Sequence, residues 1–187
     1  MPYTGMLKCR FKINCHIKEN GMPRPTFDNA WHVFMQVNVP VRIVGDIIGG
    51  KVKHNIDMPE KEGGFANACP IRMSYVLNKT GFTIHRAPDY ATVSGGDGQW
   101  YIFRVQDMKS YLRGAFGALD KAVRCVPQPS DFSGMQGILV VQGKGWGNAG
   151  GHVTLWDGAR CSDSCHLAND PDNGAFIPGE ASLWMLP

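Results

Sequence analysis

The chain has 187 residues, 43% of them apolar, with 23 glycines and 12 prolines. That is enough for one hydrophobic core and points to a loop-rich mixed fold without repeats. The net charge of +3 sits entirely in Lys8, Arg10, Lys12 and Lys18 against Glu19, so the body carries no basic stripe of the kind that nucleic-acid binding needs.

Residues 1–22 read as a basic leader, disordered or non-native, and residues 23–187 as one folded domain. No apolar run is long enough for a transmembrane helix, and none follows the early basic residues as in a secretory signal peptide. Export therefore needs another route.

The first element is a helix over 25–37, with Phe27, Trp31, Phe34 and Met35 at helical spacing and Thr26 as its cap. Pro40 and the "VGDIIGG" stretch end that regularity, and 49–64 reads as an exposed polar loop. In "FANACPIRMSYVLNKTG", Pro70 suits the first helical turn and Gly81 the stop, with Cys69, Met73, Val76 and Leu77 on one face. Cys69 is thus expected at the N-terminus of a core-packed helix. "QWYIFRV" reads as a strand. Asp107 starts a helix through Phe116 with Met108, Tyr111, Leu112 and Ala115 as its buried stripe. After a proline-containing connector over 125–133, "GILVVQG" reads as a central strand, "HVTLW" as a second and "SLWML" as the last. Helices first and strands later give an α+β fold, its antiparallel sheet packed on the helix that Cys69 begins.

Three residues carry the chemistry. A cysteine attacks as its thiolate, and the free N–H groups and dipole of a helix N-terminus favour that form at Cys69. The same N–H groups can hold a developing oxyanion. Position alone fits a small buried cap better than a nucleophile. His152 opens a strand directly after Gly150 and Gly151, small residues that leave room for a substrate backbone, and it can serve as general base. Asp163, between Cys161 and Cys165, can orient that histidine, with Asp157, Asn169 and Asp170 as alternatives. A disulfide between Cys161 and Cys165 would stiffen the Asp163 loop and imply an oxidising compartment. Cys161, Cys165, His166 and His152 could instead hold zinc, although a second ligand pair is missing. "GKGWGNAGG" lacks the spacing of a phosphate loop. Trp146, just before His152, is either a groove wall or a pinned core residue.

The segments "ACPIRMSYVLNKTGF", "RVQDMKSYL", "GHVTLWDG", "CSDSCH" and "NDPDNG", in this order, resemble the fourth family of type VI secretion amidase effectors over 23–187. The resemblance implies an NlpC-type papain-like fold and a peptidoglycan DL-endopeptidase that cuts between γ-D-glutamate and meso-diaminopimelate. It places the nucleophile on Cys69, the base on His152, the acid on Asp163 and a disulfide on Cys161 and Cys165. Neither metal nor organic cofactor is implied. It further implies type VI delivery to the target-cell periplasm and a cognate dimeric immunity protein that inserts a loop into the groove. Arg72, Ser74, Asp97, Trp146 and Asn148 are candidates for polar contacts in that groove. The rival reading is a secreted cell-wall-binding protein that keeps a peptidase-like fold without turnover.

Overall fold

The computed structural model describes residues 23–147 and 149–187; the leader expected at 1–22, with Cys9 and Cys15, lies outside them. Helices fill the first half: α1 Phe27–Val37, α2 Val41–Ile48, α3 Gly50–Asp57, α4 Cys69–Lys79 and α5 Val105–Phe116. A small ribbon pairs β1 (Thr92–Ser94) with β2 (Trp100–Ile102). The main antiparallel sheet contains β3 (Lys121–Arg124), β4 (Gly137–Lys144), β5 (Gly151–Trp156) and β6 (Ile177–Met185), in the order β3-β6-β4-β5. This is the expected α+β arrangement, with β4 inside the sheet.

The apolar run of β4 is explained by burial on both faces. Ile138 and Val140 meet Met73, Val76 and Leu77 of α4 and Val153 and Leu155 of β5, whereas Leu139 and Val141 join Phe132, Leu167, Phe176 and Leu183 on the opposite face. Alternation along β4 therefore feeds two apolar layers at once. The α4 helix is held between the main sheet on one side and α1 on the other, through Phe27, Ala30, Val33 and Phe34.

Two stretches depart from the expected elements. The segment over 49–64 is not a plain loop: it holds α3, directly after α2, and a short 3-10 turn at Glu60–Glu62. Val44, Ile48 and Val52 are spaced four apart and pack on Ala68, Ile71 and Tyr101, so a helical stripe runs straight through the Gly49–Gly50 pair. Both glycines have positive φ, 70° and 60°, a conformation glycine enters freely. A Cβ on Gly50 would also sit 2.5 Å from the carbonyl carbon of Gly95. The glycines are a hinge between docked helices. The other departure is β6, which starts at Ile177, well before "SLWML". Pro178 is accommodated where the β4–β6 register shifts at Gln142/Gly143, since a bulge spares it a ladder hydrogen bond. The short β3, with alternating half-buried and exposed residues, pairs only with β6 in the sheet and lies just before the expected connector.

The ends of the described fold are tied together. The Phe27 N–H donates to the Pro187 carbonyl at 2.8 Å, and Arg24 bridges Asp120 and the carbonyls of Phe116 and Met185. No helix among the described residues is long and apolar enough to cross a membrane.

Candidate active site

The site forms where the start of α4 meets the start of β5. Ala68 precedes α4 and makes no side-chain cap, and Pro70 stands in the first turn. The N-terminal N–H groups of α4 are therefore not taken up by a capping side chain. Cys69 is buried there, 5% exposed, with a free thiol. From β5, His152 points to the same place and is 8% exposed.

Nε2–H of His152 donates to Asp163 Oδ1 at 3.0 Å, and Cys69 borders the same concavity as this pair. Burial pulls the imidazole pKa down, but the charge of a Cys69 thiolate and the hydrogen bonds to Asp163 and Cys69 outweigh burial and push it up to about 10. Burial likewise raises the Asp163 carboxyl. The hydrogen bond and charge of His152, with help from Thr154 and Arg72, win and leave it below its ordinary value. Imidazole and carboxylate thus each favour the charged form of the other.

The loop that carries Asp163 is fixed several times over. Cys161 and Cys165 form a disulfide around it. Ser162 N–H donates to Leu155 O at 2.9 Å, and Leu155 N–H returns a bond to Ser162 Oγ at 3.1 Å. Asn38 at the end of α1 donates to Ser162 O at 2.9 Å. Asp170, an alternative orienter, instead accepts from the Cys165 and His166 N–H groups at 3.0 and 2.8 Å. Asp157 caps its own turn through Ala159 and Arg160, and Asn169 is exposed with φ of 62°.

The groove candidates separate. Trp146 lines the concavity that contains Cys69, His152 and Asp163, stacked on Phe176 at 4.1 Å. Arg72 also borders it, but its guanidinium donates to the carbonyls of Val37 and Val39 at 2.9 and 2.7 Å and lies 3.9 Å from Asp163. It braces the acid. Ser74 is fully buried, bonded to Pro70 O and Ile102 N–H at 2.8 and 3.0 Å, and does not border the cleft. Asp97 sits in the turn between β1 and β2, accepting from Tyr101 Oη–H at 2.7 Å, and does not border it either. Asn148 lies outside the described residues. The glycine before His152 also has a backbone reason: a Cβ on Gly151 would lie 2.2 Å from Val141 O.

Two features escaped the sequence reading. His166 packs edge-on to His152, ring centroids 4.7 Å apart, with its Nδ1 3.2 Å from Asn173 Oδ1. Burial first, and then the charge on His152, hold it below the ordinary imidazole value. A second concavity of about 680 Å³ also borders Cys69, lined by Phe65, Phe103, Arg104, Gln106, Gln142 and Gly151 among others. Only the fold brings the start of α5 to this wall. The disulfide removes Cys161 and Cys165 as zinc ligands, and no group of three or more metal-ligating side chains occurs among the described residues.

Residues 65–184 match the family model of the type VI secretion system (T6SS) amidase effector protein 4. No curated protein matches the chain. Solved structures match it closely. The effector Tae4 from Salmonella typhimurium, in complex with the immunity protein Tai4 from Enterobacter cloacae, is 57% identical with a TM-score of 0.81, covering 88% of this chain and all of its own. Tae4 from Enterobacter cloacae, in its Tae4–Tai4 complex, is 50% identical with a TM-score of 0.82 over the same shares. The same effector alone is 49% identical with a TM-score of 0.81, covering 90% of this chain and all of its own. The chain belongs to the type VI secretion amidase effector 4 family, whose members are antibacterial peptidoglycan amidases.

Proposed function

We propose that the protein is a cysteine endopeptidase that hydrolyses the γ-D-glutamyl–meso-diaminopimelate bond of peptidoglycan stem peptides. The observation that carries the cysteine mechanism is the hydrogen-bonded His152–Asp163 pair lining one concavity with Cys69, which stands at a helix N-terminus. In this reading the Cys69 thiolate attacks the glutamyl side-chain carbonyl, and the Cys69 N–H contributes to holding the oxyanion. The His152 imidazolium gives its proton to the departing diaminopimelate amine, leaving a thioester on Cys69. His152 then takes a proton from water as that water attacks the thioester, and returns it to sulfur on release of the glutamyl product. Asp163 keeps the ring orientation and stabilises the imidazolium throughout. Every step balances within these three residues, substrate and water.

The catalytic unit in this reading is 23–187, acting in the target-cell periplasm after type VI delivery. The disulfide at Cys161 and Cys165 suits an oxidising compartment. The immunity complexes of the solved relatives support a cognate immunity protein as partner.

The test is digestion of purified Gram-negative sacculi followed by chromatography and mass analysis of the products. New glutamate and diaminopimelate ends, absent with Cys69→Ala, are the expected result. An identical profile for wild type and Cys69→Ala would leave the non-catalytic wall-binding reading standing and sink the hydrolase.

A further inference from the structure

The wall of the larger concavity holds a hydrogen-bond chain with a fixed direction. Lys109 on α5 is 6% exposed and its ammonium, which can only donate, contacts both Glu180 and Gln142 Oε1. With its oxygen turned to Lys109, Gln142 must present its amide nitrogen elsewhere, and Nε2 donates to Gln106 Oε1 at 2.7 Å. The oxygen of Gln106 is thereby occupied as well, leaving its NH2 as the outward group. A buried cation thus sets two successive amides so that the last one presents donors. Both glutamines line the concavity beside Cys69.

Arg104 lines the same concavity at the start of α5. It is exposed, lies over the Phe103 ring at 5.3 Å, and forms no ion pair among the described residues. Glu60, which also borders the concavity, is engaged within the protein. A guanidinium fork with a neighbouring amide NH2 offers only donors, and the ligand complementary to it is a carboxylate.

We propose that Arg104 and Gln106 read a free carboxylate of the stem peptide next to the scissile bond, with Lys109 and Gln142 as positioning residues that keep Gln106 a donor. This rests on the stem-peptide reading above. Two carboxylates qualify by chemistry: the α-carboxylate of the γ-linked glutamate, and a carboxylate of diaminopimelate. The proposal makes Arg104 and Gln106 determinants of specificity, separate from the Cys69 line.

The experiment compares kcat/KM for the tripeptide L-Ala-γ-D-Glu-meso-diaminopimelate with two analogues, one amidated at the glutamate α-carboxylate and one amidated on diaminopimelate. Binding of the same three peptides to the Cys69→Ala protein is measured by calorimetry. Loss of a charge-assisted pair lowers kcat/KM roughly 10- to 100-fold. Arg104→Ala should show that loss on the free acid, and none beyond the wild-type penalty on the analogue whose read carboxylate is amidated. The analogue that abolishes the difference identifies the source. Gln106→Glu, which keeps size but swaps the donor for an anion, should lose the acid and spare that analogue. Lys109→Met should weaken the acid-over-amide preference without abolishing turnover. If wild type cleaves the tripeptide but Arg104→Ala and Gln106→Glu treat all three peptides as wild type does, the carboxylate reading alone is overturned. An equal loss on all three also overturns it. If wild type leaves the peptide whole while Cys69→Ala binds it with Arg104-dependent preference, the hydrolase reading alone falls. Neither cleavage nor binding overturns both.

Discussion

His152 Nε2 stands 3.0 Å from Asp163 Oδ1, with both side chains largely shut away from solvent. A hydrogen bond to a charged group in such a setting is a strong orienting force, because water competes poorly for either partner. Asp163→Asn keeps the shape but removes the charge that favours the imidazolium. We expect kcat/KM on stem peptide to fall about 10²-fold or more. The same change bears on stability. The folded Asp163 pKa is depressed, so its contribution is present above the unfolded value near ~3.9 and is lost as pH falls through the folded value. Asp163→Asn should therefore flatten the fall in Tm below about pH 4. An undiminished acid slope in thermal melts would show that other carboxylates carry it.

Burial opposes the charged form of His152, and the neighbouring Cys69 and Asp163 together outweigh it and raise the imidazole. Cys69→Ala removes the first of these neighbours, and burial then counts for more. The imidazole pKa of His152 should drop well below about 10, as followed by nitrogen-15 NMR of the ring. In sign, a folded pKa above the unfolded ~6.5 gives stability that is whole below that pH and fades as pH rises toward the folded value. An unchanged His152 titration in Cys69→Ala would mean that Asp163 alone holds the proton.

The nearness of Cys69, His152 and Asp163 could be anticipated from modest local signals: a proline in a helix start, a glycine pair before a strand, a cysteine bracket. The α4 boundaries followed from the same logic. Arg104, Gln106 and Gln142 carry no such signal. They reach the cleft because tertiary packing brings the start of α5, with Arg104 and Gln106, and β4, with Gln142, to one wall. Arg72 and Ser74 show the reverse failure. Their polarity and closeness to Cys69 suggested substrate contacts, yet one turn of helix directs Arg72 to the carbonyls of Val37 and Val39 and Ser74 into the seam with β2. The helices α2 and α3 were hidden because glycine marks a loop and a hinge alike, and the stripe of Val44, Ile48 and Val52 was cut at the pair.

Ser74 offers a direct check on that seam. Its hydroxyl donates to Pro70 O and accepts from the Ile102 N–H, so it ties the first turn of α4 to β2 inside the core. Ser74→Ala strands a buried N–H, which costs about 1–3 kcal/mol. Denaturant melts should show a lower midpoint with an unchanged slope. A midpoint equal to wild type would mean that Ile102 finds another acceptor.

The Cys161–Cys165 bridge makes a graded prediction. Its loop is short, so the chain-entropy contribution is only about 2 kcal/mol, equivalent to a drop in Tm of roughly 4–8 °C for a chain of this size. Local stiffness is the larger effect. Asp163 lies inside the bridge, but Ser162 is separately bonded to Leu155 and Asn38, and Asp170 holds the Cys165 and His166 N–H groups. These bonds keep the loop near its place without the disulfide. The Cys161→Ser/Cys165→Ser protein should therefore fold, melt earlier, and retain more activity than Asp163→Asn. Reductant should lower the Tm of wild type toward that of the double variant and leave the variant's Tm unchanged. If the double variant is as inactive as Asp163→Asn while still folded by circular dichroism, the bridge itself sets the position of the acid, and the surrounding hydrogen bonds merely follow it.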